Sequence, residues 1–199
     1  MENNNEEKPA VTGIKKYIPA FLELVKIAII ALIIVAPIRY FLFQPFIVSG
    51  ASMAPNFATG DYLIVDEISY RLSSPQRGDV VVFNAGFIPN YTGQRFIKRI
   101  IGLPGETVDV INGQVEIIKD GKTTVLDEKY LPADLKTYGA NGDINVTLKP
   151  DQYFVMGDNR PYSYDSRMWG VLPKSDIIGK ASLRILPINN LSEISRPAY

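Results

Sequence analysis

The stretch Phe96-Ile97-Lys98-Arg99-Ile100-Ile101 points to the fold of this chain and also carries its most informative charge. Aromatic and β-branched residues surround two basic ones, which is typical of a β-strand. Successive side chains of a strand point to opposite faces, so Lys98 would lie between Phe96 and Ile100 on one face. Arg99 would point to the other face. The sequence therefore predicts a lysine held in apolar surroundings.

Short runs of the same kind recur along the chain and are separated by turn signals. Asn112-Gly113 and Asp120-Gly121 have the chemistry of two-residue hairpin turns, in which both positions favour positive φ. We find no helical periodicity after residue 45. The further runs are 62–65, 79–83, 107–111, 115–118, 123–126, 145–148 and 153–156. We predict a mainly β fold, an antiparallel β-sandwich or partly open barrel, with residues 106–150 as an appended β subdomain.

Composition excludes several classes of function. The 199 residues contain 21 Lys and Arg against 21 Asp and Glu, so the net charge is zero and nucleic acid is not an expected partner. There is no cysteine and no histidine, which removes disulfides and thiolate or imidazole metal sites. A transition-metal site would need carboxylates alone, so we expect neither a metal nor another cofactor.

An apolar segment near the N-terminus predicts a membrane anchor. The uncharged run 27–38 has 12 residues, whereas a spanning helix needs roughly 20. Extension to 24–43 gives 20 residues, with Lys26 and Arg39 near the two ends, where long side chains can reach the headgroups. A cleaved signal peptide and a buried or interfacial helix are the alternatives.

The distribution of basic residues predicts the orientation of this anchor. Lys15, Lys16 and Lys26 precede the apolar run, and Arg39 follows it closely. The positive-inside rule then places the N-terminus in the cytoplasm and the bulk of the chain across the membrane. The predicted division is a cytoplasmic tail at 1–16, an anchor at 17–43 and an extracytoplasmic domain at 44–199.

Ser52 lies a few residues beyond the anchor, in Ser49-Gly50-Ala51-Ser52-Met53-Ala54-Pro55. A serine hydroxyl is a weak nucleophile until a base removes its proton. Since the chain has no imidazole, a lysine is the natural remaining base, and Lys98 is the best candidate. A lysine pKa of about 10.4 must fall by roughly two units for this work, which desolvation in an apolar pocket can achieve.

Taken together and in order, these segments resemble type I signal peptidase, a membrane-bound serine protease with a Ser-Lys dyad. The resemblance spans residues 17 to about 181. The matching segments after the anchor are 49–57, 60–65, 77–83, 96–105 and 157–170. It implies a serine endopeptidase that removes signal peptides from secretory preproteins through an acyl-enzyme, after small residues at the −1 and −3 positions. It also implies a single-pass protein of the plasma membrane or the thylakoid membrane.

The resemblance also assigns roles to individual residues. Ser52 would be the nucleophile, Lys98 the general base and Ser163 the hydroxyl that orients the lysine ammonium. Two ion pairs would support the site, Asp158 with Arg99 and Asp165 with Arg167. The residues that match the substrate pockets are Phe46, Val48, Met53, Phe96 and Ile97.

The chain departs from the family pattern at two places. Some members carry a serine as an oxyanion donor two residues before the nucleophile, and here that residue is Gly50. The oxyanion would then depend on backbone N–H groups, that of Ser52 among them. The family usually has Thr-Leu where this chain has Asn56-Phe57, and the bulkier Phe57 is expected to reshape a pocket wall.

Two other readings stay open at this point. A Ser-Lys autoprotease of the repressor type uses the same dyad on a related β fold, but such proteins are soluble and carry a DNA-binding segment. A catalytically silent, membrane-anchored β domain that binds exported peptides is the alternative from another class.

Overall fold

The computed structural model describes residues 17–41 and 43–199. These residues belong to two compact units, Met1–Phe41 and Leu42–Tyr199. The predicted cytoplasmic tail at 1–16 lies outside the described residues.

The first unit contains one long helix, α1, at Ile18–Phe41. Its 24 residues give a length of roughly 36 Å, enough to cross the hydrocarbon core of a bilayer. The most apolar window among the described residues is Ile18–Val35, which contains Lys26 and lies within the predicted anchor at 17–43. Pro45 disfavours helical backbone at the residue before it, and the first strand contains both residues.

The second unit is built from antiparallel strands, which confirms the mainly β prediction. Helical structure in its described residues is limited to α2 at Ser69–Leu72, α3 at Ser166–Trp169 and three short 3₁₀ turns. The strands are β1 Phe43–Ile47, β2 Tyr62–Asp66, β3 Val80–Asn84, β4 Arg95–Gly102, β5 Thr107–Ile111, β6 Gln114–Lys119, β7 Lys122–Val125, β8 Ile144–Thr147, β9 Gln152–Met156, β10 Leu172–Pro173, β11 Ile177–Leu186 and β12 Ser192–Glu193.

The larger sheet has the order β1-β2-β11-β3-β4-β9-β10, with β12 paired to β11. The sequence analysis did not predict β11. This strand has ten residues and lies in the sheet between β2 and β3, with which it pairs. Gly179 and Ser182 weaken its strand pattern, and the register shifts between Ile177 and Gly179. The glycine is required because a side chain there would collide with the carbonyl of Asp66.

The smaller sheet has the order β7-β6-β5-β8, and its strands lie between Thr107 and Thr147, within the range 106–150 predicted as a subdomain. Its two hairpin turns were predicted correctly, since φ is 54° at Asn112 and 50° at Asp120, with positive φ at the glycine after each. Apolar side chains of this sheet share one buried cluster with Ile101 of β4 and Phe154 of β9. The smaller sheet is therefore packed on the strand that carries Lys98.

Candidate active site

Ser52 lies in a loop that is closed on itself, residues 48–61, which we call the Ser52 loop. The Val48 amide donates to the Asp61 carbonyl and the Gly60 amide to the Val48 carbonyl, both at 2.9 Å. Met53 and Phe57 are 0% and 3% exposed and pack into the same core cluster as β2 and β3. These two apolar residues fix the loop from beneath, so that Ser52 is held on a defined backbone.

A second segment, 157–159, holds the same loop from the side. The amide of Asn159 donates to the Ser52 carbonyl at 3.0 Å, and its side chain donates to the Ala51 carbonyl at 2.9 Å. Gly157 lies so close that a side chain there would collide with the Ser52 carbonyl and with Ser163. The backbone on both sides of the Ser52 carbonyl is thus immobilised by contacts far away in sequence.

Strand β4 brings Lys98 to Ser52. The Lys98 Nζ lies 2.8 Å from Ser52 Oγ and 2.9 Å from the Ile97 carbonyl oxygen. As the alternation of the strand predicts, Phe96 shares its face, and the Phe96 ring centroid is 5.4 Å from the Nζ. The lysine is only 4% exposed.

Burial lowers the pKa of Lys98, as a lysine that is to act as a base requires. Desolvation lowers the pKa of Lys98 to about 8, although the charges of Asp165 and Asp158 act in the opposite direction. An amine with this pKa is neutral in about half of the molecules at pH 8, and only the neutral form can accept a proton. The pair Ser52 and Lys98 can therefore serve as a nucleophile and its base.

Arg99, on the opposite face of β4, pairs with Asp158. Its Nε donates to Oδ1 at 2.8 Å and its Nη2 to Oδ2 at 2.6 Å. The guanidinium also donates to the Gly78 carbonyl at 3.0 Å and lies 4.3 Å from the centre of the Tyr130 ring. Burial by itself would lower the pKa of Arg99, but the hydrogen bonds and charge of Asp158 raise it above the usual value.

The second expected ion pair also forms. Arg167 donates from Nε and Nη2 to the two carboxylate oxygens of Asp165, both at 2.8 Å. Asp165 also accepts from the Gly157 amide at 3.0 Å, and it caps the short helix α3. Both acidic residues of the site are thus paired with arginines. In the described part of the chain, no group of three or more acidic side chains is arranged to hold a metal ion.

Ser163 differs from what the resemblance implies. Its hydroxyl is buried and makes no hydrogen bond within the described residues, and it lies beside Gly157. The Nζ of Lys98 donates instead to the Ile97 carbonyl. The expected bond between Ser163 and the lysine is therefore not formed in this structure.

A cleft of about 360 Å³ opens beside Ser52 and Lys98. Three of the five residues expected in the substrate pockets line it, namely Phe46, Phe96 and Ile97. Val48 and Met53 do not; they are 2% and 0% exposed and belong to the core. Their side chains point under the Ser52 loop and stabilise it.

Three tyrosines of the cleft were missed by the sequence analysis: Tyr91, Tyr162 and Tyr164. The ring of Tyr91 lies 5.1 Å from that of Phe96 and 5.4 Å from that of Tyr164. Tyr162 and Tyr164 flank Ser163, and this adjacency was the signal that could have identified them. Tyr91 precedes β4 in a loop, where the sequence offers no comparable signal.

The departures at positions 56 and 57 lie outside this cleft. Phe57 is buried in the core, with the guanidinium of Arg184 5.0 Å from its ring centre. It does not form a wall of the cleft, contrary to the expectation from its size. Asn56 is half-buried and faces Asp158 and Tyr130.

Comparisons with known proteins find a matching family model and similar sequences. The family model described as "Signal peptidase, peptidase S26" matches residues 21–186. The chain is 42% identical over 172 residues to "Probable signal peptidase I-2" of Synechocystis sp., covering 84% of this chain and 74% of that protein. It is 36% identical over 196 residues to "Signal peptidase I" of Leptolyngbya laminosa, covering 96% and 91%.

A crystal structure of a signal peptidase I from Enterococcus faecalis V583 is also similar. It is 30% identical in sequence, and the match covers 55% of this chain and 98% of that one. The TM-score of 0.44 is too low to support an argument about the fold.

Proposed function

Because the chain belongs to the peptidase S26 family of signal peptidases, we propose that Ser52 and Lys98 form the dyad with which it cleaves its substrates. The protein is a serine endopeptidase that removes signal peptides from secretory preproteins. The observation that supports the dyad most directly is the distance of 2.8 Å between Lys98 Nζ and Ser52 Oγ.

The proposed reaction has two stages. Neutral Lys98 takes the proton of Ser52 as Oγ attacks the scissile carbonyl, and the lysine ammonium then gives that proton to the departing amine of the mature protein. The acyl group left on Ser52 is hydrolysed by a water molecule, from which Lys98 again removes a proton. The Ser52 N–H is the proposed oxyanion donor, since Gly50 offers no hydroxyl.

The cleft supports a proposal for substrate selection. An extended peptide places alternate side chains on the same side, so the −1 and −3 residues point into the cleft together. Phe46, Phe96 and Ile97 line the space that these residues would enter, and their bulk favours small side chains. Backbone pairing along the cleft would provide most of the affinity.

Helix α1 supports a proposal for the location of the protein. It is long and apolar enough to be the anchor. The surplus of basic residues before it favours a cytoplasmic N-terminus and places the peptidase domain, 44–199, on the trans side of the plasma or thylakoid membrane. Within that domain we treat 106–150 as an inserted subdomain that contains the smaller sheet.

The test is cleavage of a secretory preprotein by the detergent-solubilised chain. We expect the wild type to cut after a small −1 residue, and Ser52→Ala and Lys98→Ala to be inactive while still folded. Ser73→Ala and Lys122→Ala, which change exposed residues far from the cleft in sequence, serve as matched controls and should cut normally.

Substantial turnover by either dyad variant would refute the assignment of that residue. If none of the proteins cuts but the peptide still binds, the catalytically silent peptide-binding domain becomes the better interpretation.

A further inference from the structure

Asn56 takes no part in the proposed reaction and does not line the cleft. Its Nδ2 donates to Asp158 Oδ2 at 2.9 Å and to the Tyr130 carbonyl at 3.0 Å. The residue lies four positions after Ser52, within the Ser52 loop. One amide therefore joins this loop to two segments that are distant in sequence.

The first of these segments is 157–159. Asn159 already donates two hydrogen bonds to the Ser52 loop, one to the Ser52 carbonyl and one to the Ala51 carbonyl. Asn56 adds a third link, which runs in the opposite direction because the loop is now the donor and Asp158 the acceptor. The three bonds lie on both sides of Met53, whose buried side chain anchors the loop.

The second segment is the connection between β7 and β8 of the smaller sheet. Tyr130 lies in it, and so does Glu128, whose carboxylate pairs with the buried Arg160 at 2.5 Å. The hydroxyl of Tyr130 also accepts from Arg160 at 3.0 Å. Asn56 thus bonds to a backbone carbonyl that is itself held firmly, so its amide connects rigid groups.

We propose that Asn56 is a positioning residue, whose amide fixes the Ser52 loop against Asp158 and Tyr130 and so holds Ser52 Oγ at Lys98 Nζ. The proposal rests on the proposed function of Ser52 and Lys98. A displacement of a reacting group by about 1 Å can cost on the order of 100-fold in rate, so a lost link is measurable in turnover.

Several charged and titratable groups surround this amide. Asp158, Arg99 and Tyr130 lie on one side, and Arg184 donates to the Asn56 carbonyl at 2.5 Å from the other. Glu193 lines the same small cavity. A carboxylate introduced at position 56 would lie against Asp158, whose charge already acts to raise the pKa of Lys98.

The variants Asn56→Ala, Asn56→Thr and Asn56→Asp separate positioning from general damage. We expect Asn56→Ala to lower kcat at least tenfold with KM changed less than twofold, because the amide does not line the cleft. Asn56→Thr retains a donor and should recover much of this loss. Asn56→Asp should shift the acid limb of the pH–rate profile to higher pH, since added negative charge favours the lysine ammonium. Asn141→Ala, in an exposed loop, is the matched control.

Wild-type kcat in Asn56→Ala, a loss confined to KM, or an Asn56→Thr variant no better than Asn56→Ala would overturn the proposal. A double-mutant cycle with Asp158→Ala, measured by thermal unfolding, tests the hydrogen bond between Asn56 and Asp158 without any assay of catalysis; we call this bond the bridge. Asn56→Ala should lower the unfolding temperature less in the Asp158→Ala background than in the wild type, and an equal decrease would contradict the bridge. Activity that survives Ser52→Ala would instead refute the dyad and leave this cycle to decide on the bridge.

Discussion

The two faces of strand β4 place neighbouring cations in opposite electrostatic situations. Lys98 and Arg99 are each 4% exposed. Arg99 donates hydrogen bonds to both carboxylate oxygens of Asp158. The partners of Lys98 are neutral, namely a serine hydroxyl and a backbone carbonyl. The pKa of the arginine is raised, and that of the lysine is lowered to about 8.

The comparison shows that desolvation acts on both cations in the same direction, and that the carboxylate in direct contact with Arg99 outweighs it there, whereas Lys98 has no carboxylate in direct contact. Asp158 and Asp165 are both near enough to raise the pKa of Lys98. Each is engaged by its own arginine, Arg99 or Arg167, in a bidentate pair. We infer that these arginines keep the carboxylates from pairing with the lysine, so that it can lose its proton.

Exchange of the lysine for the other cation should have the largest effect. In Lys98→Arg the guanidinium cannot be deprotonated in a protein, so no base is left beside Ser52. We expect preprotein cleavage to fall by about 10³-fold or more, in line with the removal of a catalytic base. Lys98→Met, which is uncharged and of similar length, should be equally inactive but better folded. Cleavage by Lys98→Arg at a substantial fraction of the wild-type rate would show that the cation at position 98 need not lose its proton.

Removal of Arg99 should lower the stability of the fold more than it affects the reaction at Ser52. Arg99→Met leaves Asp158 buried and unpaired, and breaking a buried pair from one side costs about 3–5 kcal/mol in the free energy of unfolding. Urea denaturation measures this loss. Lys129→Met, which breaks an exposed pair with Asp127, should leave the midpoint nearly unchanged. Equal midpoints for the two variants would show that the buried pair contributes little.

The smallest effect is expected in the pH dependence. Because the proposed base Lys98 can accept a proton only when it is neutral, the wild-type rate should rise with pH and level off above about 8, with a tenfold decrease per unit below that value. In Phe96→Ala water would reach the amine, so its pKa should rise and the limb should move to higher pH. Phe87→Ala removes a ring that packs on Phe83 and Trp169 and should leave the limb in place. An unchanged limb in Phe96→Ala would mean that this ring does not desolvate the lysine.

The sequence was most informative where chemistry leaves few choices. In a chain without histidine or cysteine, lysine is the natural remaining base for Ser52, and the alternation of β4 predicts the apolar neighbour Phe96 of Lys98. The ion pairs of Asp158 and Asp165 followed from the resemblance, and both form. Local patterns and a specific set of motifs were sufficient for these features.

Features that depend on long-range packing were not predicted. Val48 and Met53 are apolar residues beside Ser52, and sequence alone cannot distinguish a cleft wall from the core beneath it. Strand β11 lacks a strong local pattern, since its glycine is set by the approach of β2. The proposed role of Asn56 depends on Tyr130, 74 residues away, and no pattern near position 56 indicates that partner.

The position of β11 has a consequence for biogenesis. This strand joins the β1–β2 pair to the β3–β4 pair, yet it is the last long strand to be synthesised. Contacts between residues far apart in sequence form late, because the chain between them must first be ordered. Until residues 177–186 have been synthesised, neither the β2–β11 nor the β3–β11 pairing can form, so the Ser52 loop between β1 and β2 and Lys98 on β4 belong to strand pairs that are not yet joined in one sheet.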